Sequence, residues 1–280
     1  MIKTMISIAM ASLIAASGVA VAAVCPVRVG ELAQYVEPKQ IYDDLKALDL
    51  TKSEYETAKE FEARVRESLN HDTVATSHLL RATYFPDHLT YVAEREEFIV
   101  EKYAWANLGV GWDDVFGGWG VYDGKQLSKN PWGMEQVSSL TPVQGVGLLS
   151  EEEIVGTYTA SNAMGATVQV TEIERNVYAV FDRPGRDSWK CELKSGQLDT
   201  CSVRLGVKRE NARSLKDGLS VGILARPKPP FAATGTRTWK PTIQDPRDVT
   251  AHYNVIVADI LCAVLTRPDG RIVKTIDAHR

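Results

Sequence analysis

Apolar residues recur along this chain with two periods, and the change from one to the other falls near residue 76. Before it the spacing is helical. In "PKQIYDDLKAL", residues 38–48, Ile41, Leu45 and Leu48 share one face of a 3.6-residue repeat. In "KSEYETAKEFEARVRESLN" the stripe is Phe61, Val65 and Leu69. Thr57 followed by Glu60 has the spacing of a capping box, and Glu60 to Arg64 and Glu62 to Arg66 are favourable i,i+4 pairs. A helix over residues 57–69 is expected, with its charges on a solvated face. After residue 76 the period is two. "SHLLRATYF", "HLTYVA" and "EFIVEKYAW" read as short strands, and later "TVQVTE", "VYAVF", "SWKCELK", "LDTCSVRL", "LSVGILA", "YNVIVADILCAVL" and "RIVKTI" do the same. "RENARSLKDG" is a short helical interruption between two of them. These patterns predict an α+β fold, mainly antiparallel β with an N-terminal helical segment.

The first 23 residues have a different character. Lys3 precedes an Ala-rich uncharged run that closes on Ala20-Val21-Ala22, the layout of a cleaved secretory signal peptide, with cleavage expected after Ala22 or Ala23. Val24 stands where lipidation of Cys25 would want a small residue. No other stretch is long and apolar enough to span a bilayer as a helix. The expected organisation is 1–23 signal peptide, 24–150 a helix plus β block with a Trp/Gly-rich loop, and 151–280 a β-rich block, either separate from the preceding block or continuous with it. The formal charge is −4 with no Lys/Arg block, which argues against nucleic-acid binding. Export places the protein in an oxidising compartment, periplasmic or secreted, where four cysteines can pair. Three connectivities are open. A hairpin turning at residues 195–197 would set Cys191 opposite Cys201, leaving Cys25 to tie to Cys262. The alternative is that one or more stay buried and reduced.

Candidate chemistry is sparse. "GLSVG", residues 218–222, fits the G-x-S-x-G nucleophile elbow, and Ser220, Asp245 or Asp248, and His252 follow in hydrolase order. The elbow requires a strand entering and a helix leaving; here a polar helical stretch enters and an apolar strand leaves, so a glycine turn opening a strand is the favoured reading. No catalytic residue is assigned. The five histidines (71, 78, 88, 252 and 279) are scattered without ligand spacing, and no metal site or cofactor is expected. No Walker loop or G-x-G-x-x-G occurs, so no nucleotide cofactor is expected either. The segment around residues 105–133 gathers Trp105, Trp112, Trp119 and Trp132 among glycines and aspartates. Packing under a long loop explains such a segment; a face for a sugar-like ligand or a protein partner is the functional alternative.

"EYETAKEFEARV" and "YTASNAMGATVQV" together resemble the E-[FY]-E-T-x-x-E-F-x-x-R and S-N-A-x-G-A stretches of a group of exported bacterial proteins without assigned activity, and "NARSLKDGLSVGILARPKPP" is similar to their helix, strand and Pro-rich exit. The resemblance implies export and a helix-to-strand junction at residues 218–222, and it carries no activity across. The expectation is a non-enzymatic module that binds an unknown envelope protein or ligand, with no transmembrane segment after cleavage. The rival is a hydrolase acting on an envelope polymer.

Overall fold

The computed structural model describes residues 25–50, 52–101, 145–182 and 202–278. Its helices form where the periodicity places them. Helix α1, Pro38–Lys46, starts at a proline and buries Ile41, Tyr42 and Leu45, while Leu48 packs against the core from beyond its end. Helix α2, Ala58–Leu69, carries the capping box: Glu60 N–H donates to Thr57 Oγ1, and Thr57 N–H donates to Glu60 Oε2 at 2.9 Å. That use of Glu60 overturns the expected Glu60–Arg64 pair. Arg64 instead reaches Glu56, donating from Nε and Nη2 at 2.9 Å each, and Asp49. A short α3, Asp72–Ala75, follows, and α4, Arg209–Gly218, is the expected interruption among the strands.

The expected fold class is corrected by the rest. The molecule is mostly β, its larger sheet is mixed rather than antiparallel, and its helices are not confined to the N-terminal part, since α4 lies between two late strands. Ten strands are formed among the described residues: β1 Tyr35–Val36, β2 His78–Ala82, β3 Leu89–Val92, β4 Glu97–Val100, β5 Gly145–Ser161, β6 Thr167–Asp182, β7 Val203–Gly206, β8 Ser220–Trp239, β9 Arg247–Thr266 and β10 Ile272–Asp277. Seven make one sheet in the order β1-β2-β8-β9-β6-β5, with β10 also on β9; β3-β4-β7 make a small antiparallel sheet. Two pairs are parallel, β1 with β2 and β6 with β9. Alternation marks a strand's faces but not its direction. The long connection from β6 through β7, α4 and β8 lets β9 return in the same sense as β6.

The late strands are also longer than their apolar runs. "TVQVTE" and "VYAVF" are one 16-residue strand, β6, and β8 and β9 are 20 residues each. Bulges re-aim the side chains along them. Leu224 pairs with Cys262 but Ala225 with Ile260, so Leu261 is an extra residue. Before it Ile256, Ala258 and Ile260 face the main core; after it Ala263 and Leu265 do. In β8, residues 228–231 leave the ladder between Pro227↔Ala258 and Ala232↔Ile256. Phe231 there takes φ 70° and is 2% exposed. A left-handed phenylalanine costs about 1–2 kcal/mol, which burial of its ring offsets.

The main core lies on one face of the large sheet. Leu80, Ile223, Ile256 and Val180 meet Ile41 and Tyr42 of α1, Leu215 of α4, and Leu89 and Phe98 of the small sheet. The other face carries two clusters. Val177, Phe181, Tyr253 and Val255 pack together where β6 flanks β9. Leu79, Leu224, Val264 and Ile272 pack where β10 does, with Val27, Ala33 and Tyr35 of the N-terminal stretch against them. The sheet curls so that Thr83, just past β2, donates its N–H to Gly147 C=O of β5 at 2.8 Å.

Cys25 is bonded to Cys262, as the favoured connectivity has it; Cys191 and Cys201 lie outside the described residues. The bond closes a loop of 237 residues, and Cys25 N–H adds a 2.8 Å hydrogen bond to Asp277 Oδ1. A disulfide of this kind fits a location outside the cytoplasm. No helix among the described residues is long and apolar enough to cross a membrane.

Two outcomes follow from this packing. The C25S/C262S variant should lose about 2–5 kcal/mol of stability, read as a lower urea midpoint than the oxidised protein's. Tyr84, packed against the main core, has a buried hydroxyl with no hydrogen-bond partner among the described residues. Burial first, and then the Asp217 carboxylate, push its phenol up to about 12. Because the folded value lies above the unfolded one, its contribution is intact below about pH 10 and is lost as pH rises from about 10 to about 12. Tyr84→Phe should therefore flatten the alkaline fall in stability across that window, while costing nothing at neutral pH; denaturation followed against pH checks both.

Candidate functional site

The glycines of "GLSVG" are explained by their neighbours. Gly218 ends α4, Leu219 caps it, and Ser220 begins β8, so the helix enters the motif and the strand leaves it. A Cβ on Gly218 would run into Pro268 Cγ. A Cβ on Gly222 would stand 2.6 Å from Tyr35 Cε1 and 3.0 Å from both Leu79 Cδ1 and Val264 Cγ2. Gly222 is thus the bare patch of strand on which the Tyr35 ring lies.

Ser220 sits in a structural chain of contacts. Arg81 Nη1 donates to Ser220 Oγ at 3.1 Å, and the same guanidinium lies 4.5 Å from the centroid of the Tyr35 ring. Tyr35 OH and Thr266 Oγ1 share a hydrogen bond at 3.1 Å, and Thr266 Oγ1 donates to Ser220 C=O at 3.4 Å. Burial of Tyr35 raises its phenol above the usual value, with the bond to Thr266 and the charge of Arg81 pulling the other way.

The other members of the drawn triad are remote. Ser220 is in register with Thr266, whereas His252 is in register with Thr236. Positions 252 and 266 are fourteen residues apart on β9, on the order of 45 Å at strand rise. Each acid is also engaged elsewhere. Asp245 accepts from Arg247 Nε at 2.6 Å, and that bond lowers its carboxyl below the usual range. Asp248 accepts from Tyr158 OH at 3.0 Å and from Lys240 Nζ at 3.3 Å. His252 stands 3.5 Å from Glu174 at the surface.

The other histidines do local work. His71 Nδ1 accepts from Thr73 N–H at the start of α3, His78 Nε2 contacts Thr73 C=O at 2.8 Å, and His88 pairs with Glu101 at 3.4 Å. His279 lies outside the described residues. Among the described residues, no three His, Cys, Asp or Glu side chains gather as a metal would need. Trp105, Trp112, Trp119 and Trp132 all lie outside the described residues. Trp239, unremarked in the sequence, packs at the end of β8 with the Arg237 guanidinium 4.9 Å from its ring centroid.

The feature that sequence reasoning missed is the β5–β6 hairpin. Its base is core: Val146, Tyr178 and Val180 are buried. Beyond Leu149 almost every β5 residue faces solvent. The far end carries Ile154, 69% exposed, Val155 at 55%, Tyr158 and, in the turn, Met164 at 94%. These are four of the eight large hydrophobics exposed among the described residues. A fifth, Ile243, belongs to the β8–β9 connection, which meets the same end of the sheet where Thr171 N–H donates to Pro246 C=O at 2.9 Å.

Local chemistry fixes the turn. Asn162 Oδ1 accepts from Met164 N–H and Ala166 N–H at 3.0 and 2.9 Å, and Gly165 takes φ 81°. The S-N-A-M-G-A phrase is therefore an Asn-stabilised hairpin turn with a methionine at its apex. Lower on the arm Glu151, Glu152 and Glu153 follow one another, and Glu152 pairs with Arg175 at 2.6 Å. The register puts Ile154 opposite Ile173, and a bulge at Val155 shifts it so that Tyr158 faces Val170. Tyr158 is held by Asp248 across the sheet, so the aromatic is fixed while part of it stays exposed. Desolvation and the Asp248 carboxylate raise its phenol. Compared with protein-family models, curated proteins and solved structures, the chain matches none.

Ser220→Ala should change stability by no more than about 1 kcal/mol, the worth of one half-exposed hydrogen bond. Gly222→Ala should cost about 1–3 kcal/mol by overpacking against Tyr35. Thermal melts of the two variants test the order. A fluorophosphonate probe should leave Ser220 unlabelled in intact-mass spectra, and labelling would restore the elbow reading.

Proposed function

We propose that the chain is a non-enzymatic binding module of the periplasm or the extracellular medium, and that it meets an envelope protein or ligand with the far end of its β5–β6 hairpin. The observation that carries this reading is the concentration of exposed Ile154, Val155, Tyr158 and Met164 on one projecting arm whose base is locked in the core. Exposed apolar side chains gathered in one place mark a surface that is covered in use. A pre-ordered arm also loses little conformational freedom when it is covered. Export is supported by the apolar leader of residues 1–23, by the Cys25–Cys262 bond and by the resemblance to exported bacterial proteins. Hydrolysis of an envelope polymer has no observation among the described residues in its favour.

The test is site-specific photocrosslinking in the exporting cell. A photoreactive residue at Met164 should give one or a few discrete adducts identifiable by mass spectrometry, and the same residue at Glu62 on α2 should give none of them. The I154S/V155S/Y158S variant should lose those adducts by at least tenfold while keeping its melting temperature within a few degrees. Equal adducts from both positions, or none from Met164, would reject the hairpin as the contact surface. Fractionation of the same cells separates a periplasmic from a secreted protein.

A further inference from the structure

At the other end of β9 a half-open cavity of about 440 Å³ lies between β7, α4 and the turn joining β9 to β10. It is remote from the hairpin end, which adjoins the start of β9 at Arg247. Its volume falls within the ~300–1,000 Å³ usual for small-molecule sites. The lining combines two chemistries. Val207, Leu215, Pro268 and Val273 give an apolar wall. Lys208 and Arg267 supply two cations, and Asn211 and Ser214, one turn apart on α4, supply polar atoms. Among the described residues no carboxylate lines the cavity. Lys208 makes no ion pair among the described residues. Arg267 has only Asp269, whose Oδ2 stands 3.7 Å from its Nη2.

We infer that this cavity binds a small amphipathic carboxylate, with its anionic head between Lys208 and Arg267 and its hydrocarbon tail along Val207, Leu215 and Val273. Charge and shape both point to that class. Two cations in a lining with no carboxylate among its described residues favour a negative head, and the apolar side chains of the same lining favour a tail over a bare inorganic ion. A purely apolar ligand would leave both cations unused, and a polar anion would leave the wall wet. Arg267 would exchange its long contact with Asp269 for a shorter one to the ligand.

The probe is octanoate, followed by the carboxyl resonance of the 1-¹³C form and by calorimetry on the full mature chain, with 1-octanol as the neutral control. Octanoate should bind saturably and at least fivefold more tightly than 1-octanol. The K208Q/R267Q variant changes two exposed side chains and should keep its fold while weakening octanoate at least tenfold. Ser214→Trp, on the exposed side of α4, should fill the cavity and abolish binding. Absence of saturable binding, equal affinity for octanol, or undiminished affinity in either variant would each overturn the assignment. None of these readouts involves the β5–β6 arm.

Discussion

Strand β9 has a neighbour on each edge for almost its whole length, and the larger sheet depends on that. One edge pairs with β8 from Thr266 to Val249. The other pairs with β6 from Arg247 to Ala258 and then with β10 from Cys262 onward. The second half of β9 is also covered on both faces, by the main core on one side and the smaller clusters on the other, so there it must be apolar at successive positions rather than alternate ones. "VIVADILCAVL" meets that demand, with Asp259 the single charge in the run. The detour in β8 answers it, because residues 228–231 leave the ladder and set Lys228 Nζ 3.8 Å from Asp259. The bulge at Leu261 then reverses which side chains face which core without breaking the strand.

This arrangement separates the two ends of the molecule. Around Cys262 the sheet is closed in by β2, β8, β10, the N-terminal stretch and the disulfide. Toward Arg247 only β8 and β6 flank β9 among the described residues, and the β5–β6 hairpin runs on past the core. Apolar side chains that project from a stem fixed by Tyr178 and Val180 are held in place without being hidden. That is the physical support for the proposal that the arm, rather than the Ser220 junction, is the binding surface. At that junction the Ser220 hydroxyl and carbonyl each have a protein partner and both glycines serve close packing.

Periodicity was enough to locate α1, α2 and α4, the capping box and most strands, because each rests on residues close in sequence. The Cys25–Cys262 pairing was within reach by arithmetic on four cysteines. The order and sense of the strands were not, since Thr171 beside Arg247 is a contact that no local pattern announces. The acidic, half-apolar stretch from Ser150 to Ser161 lacks clean alternation because neither of its faces is buried, so residue 150 reads as a boundary between blocks rather than as a point within a long hairpin arm. Met164 and Tyr158 carry no motif, unlike the clustered tryptophans of residues 105–133. Asn162 and Gly165, three residues apart, were the available signal, an Asn side chain to close the turn and a glycine for its left-handed position.

The disulfide also orders events before the fold exists. Under the proposed export the chain emerges from its N-terminus, so Cys25 would enter the oxidising space long before Cys262, 237 residues behind it. Cys191 and Cys201 arrive in between. The first cysteine therefore meets two wrong partners before the right one, and native pairing must wait for the last strands of the sheet. Under the proposed export, maturation would accordingly run through thiol–disulfide reshuffling, and a cell short of an isomerase would accumulate mispaired chains rather than unfolded reduced ones.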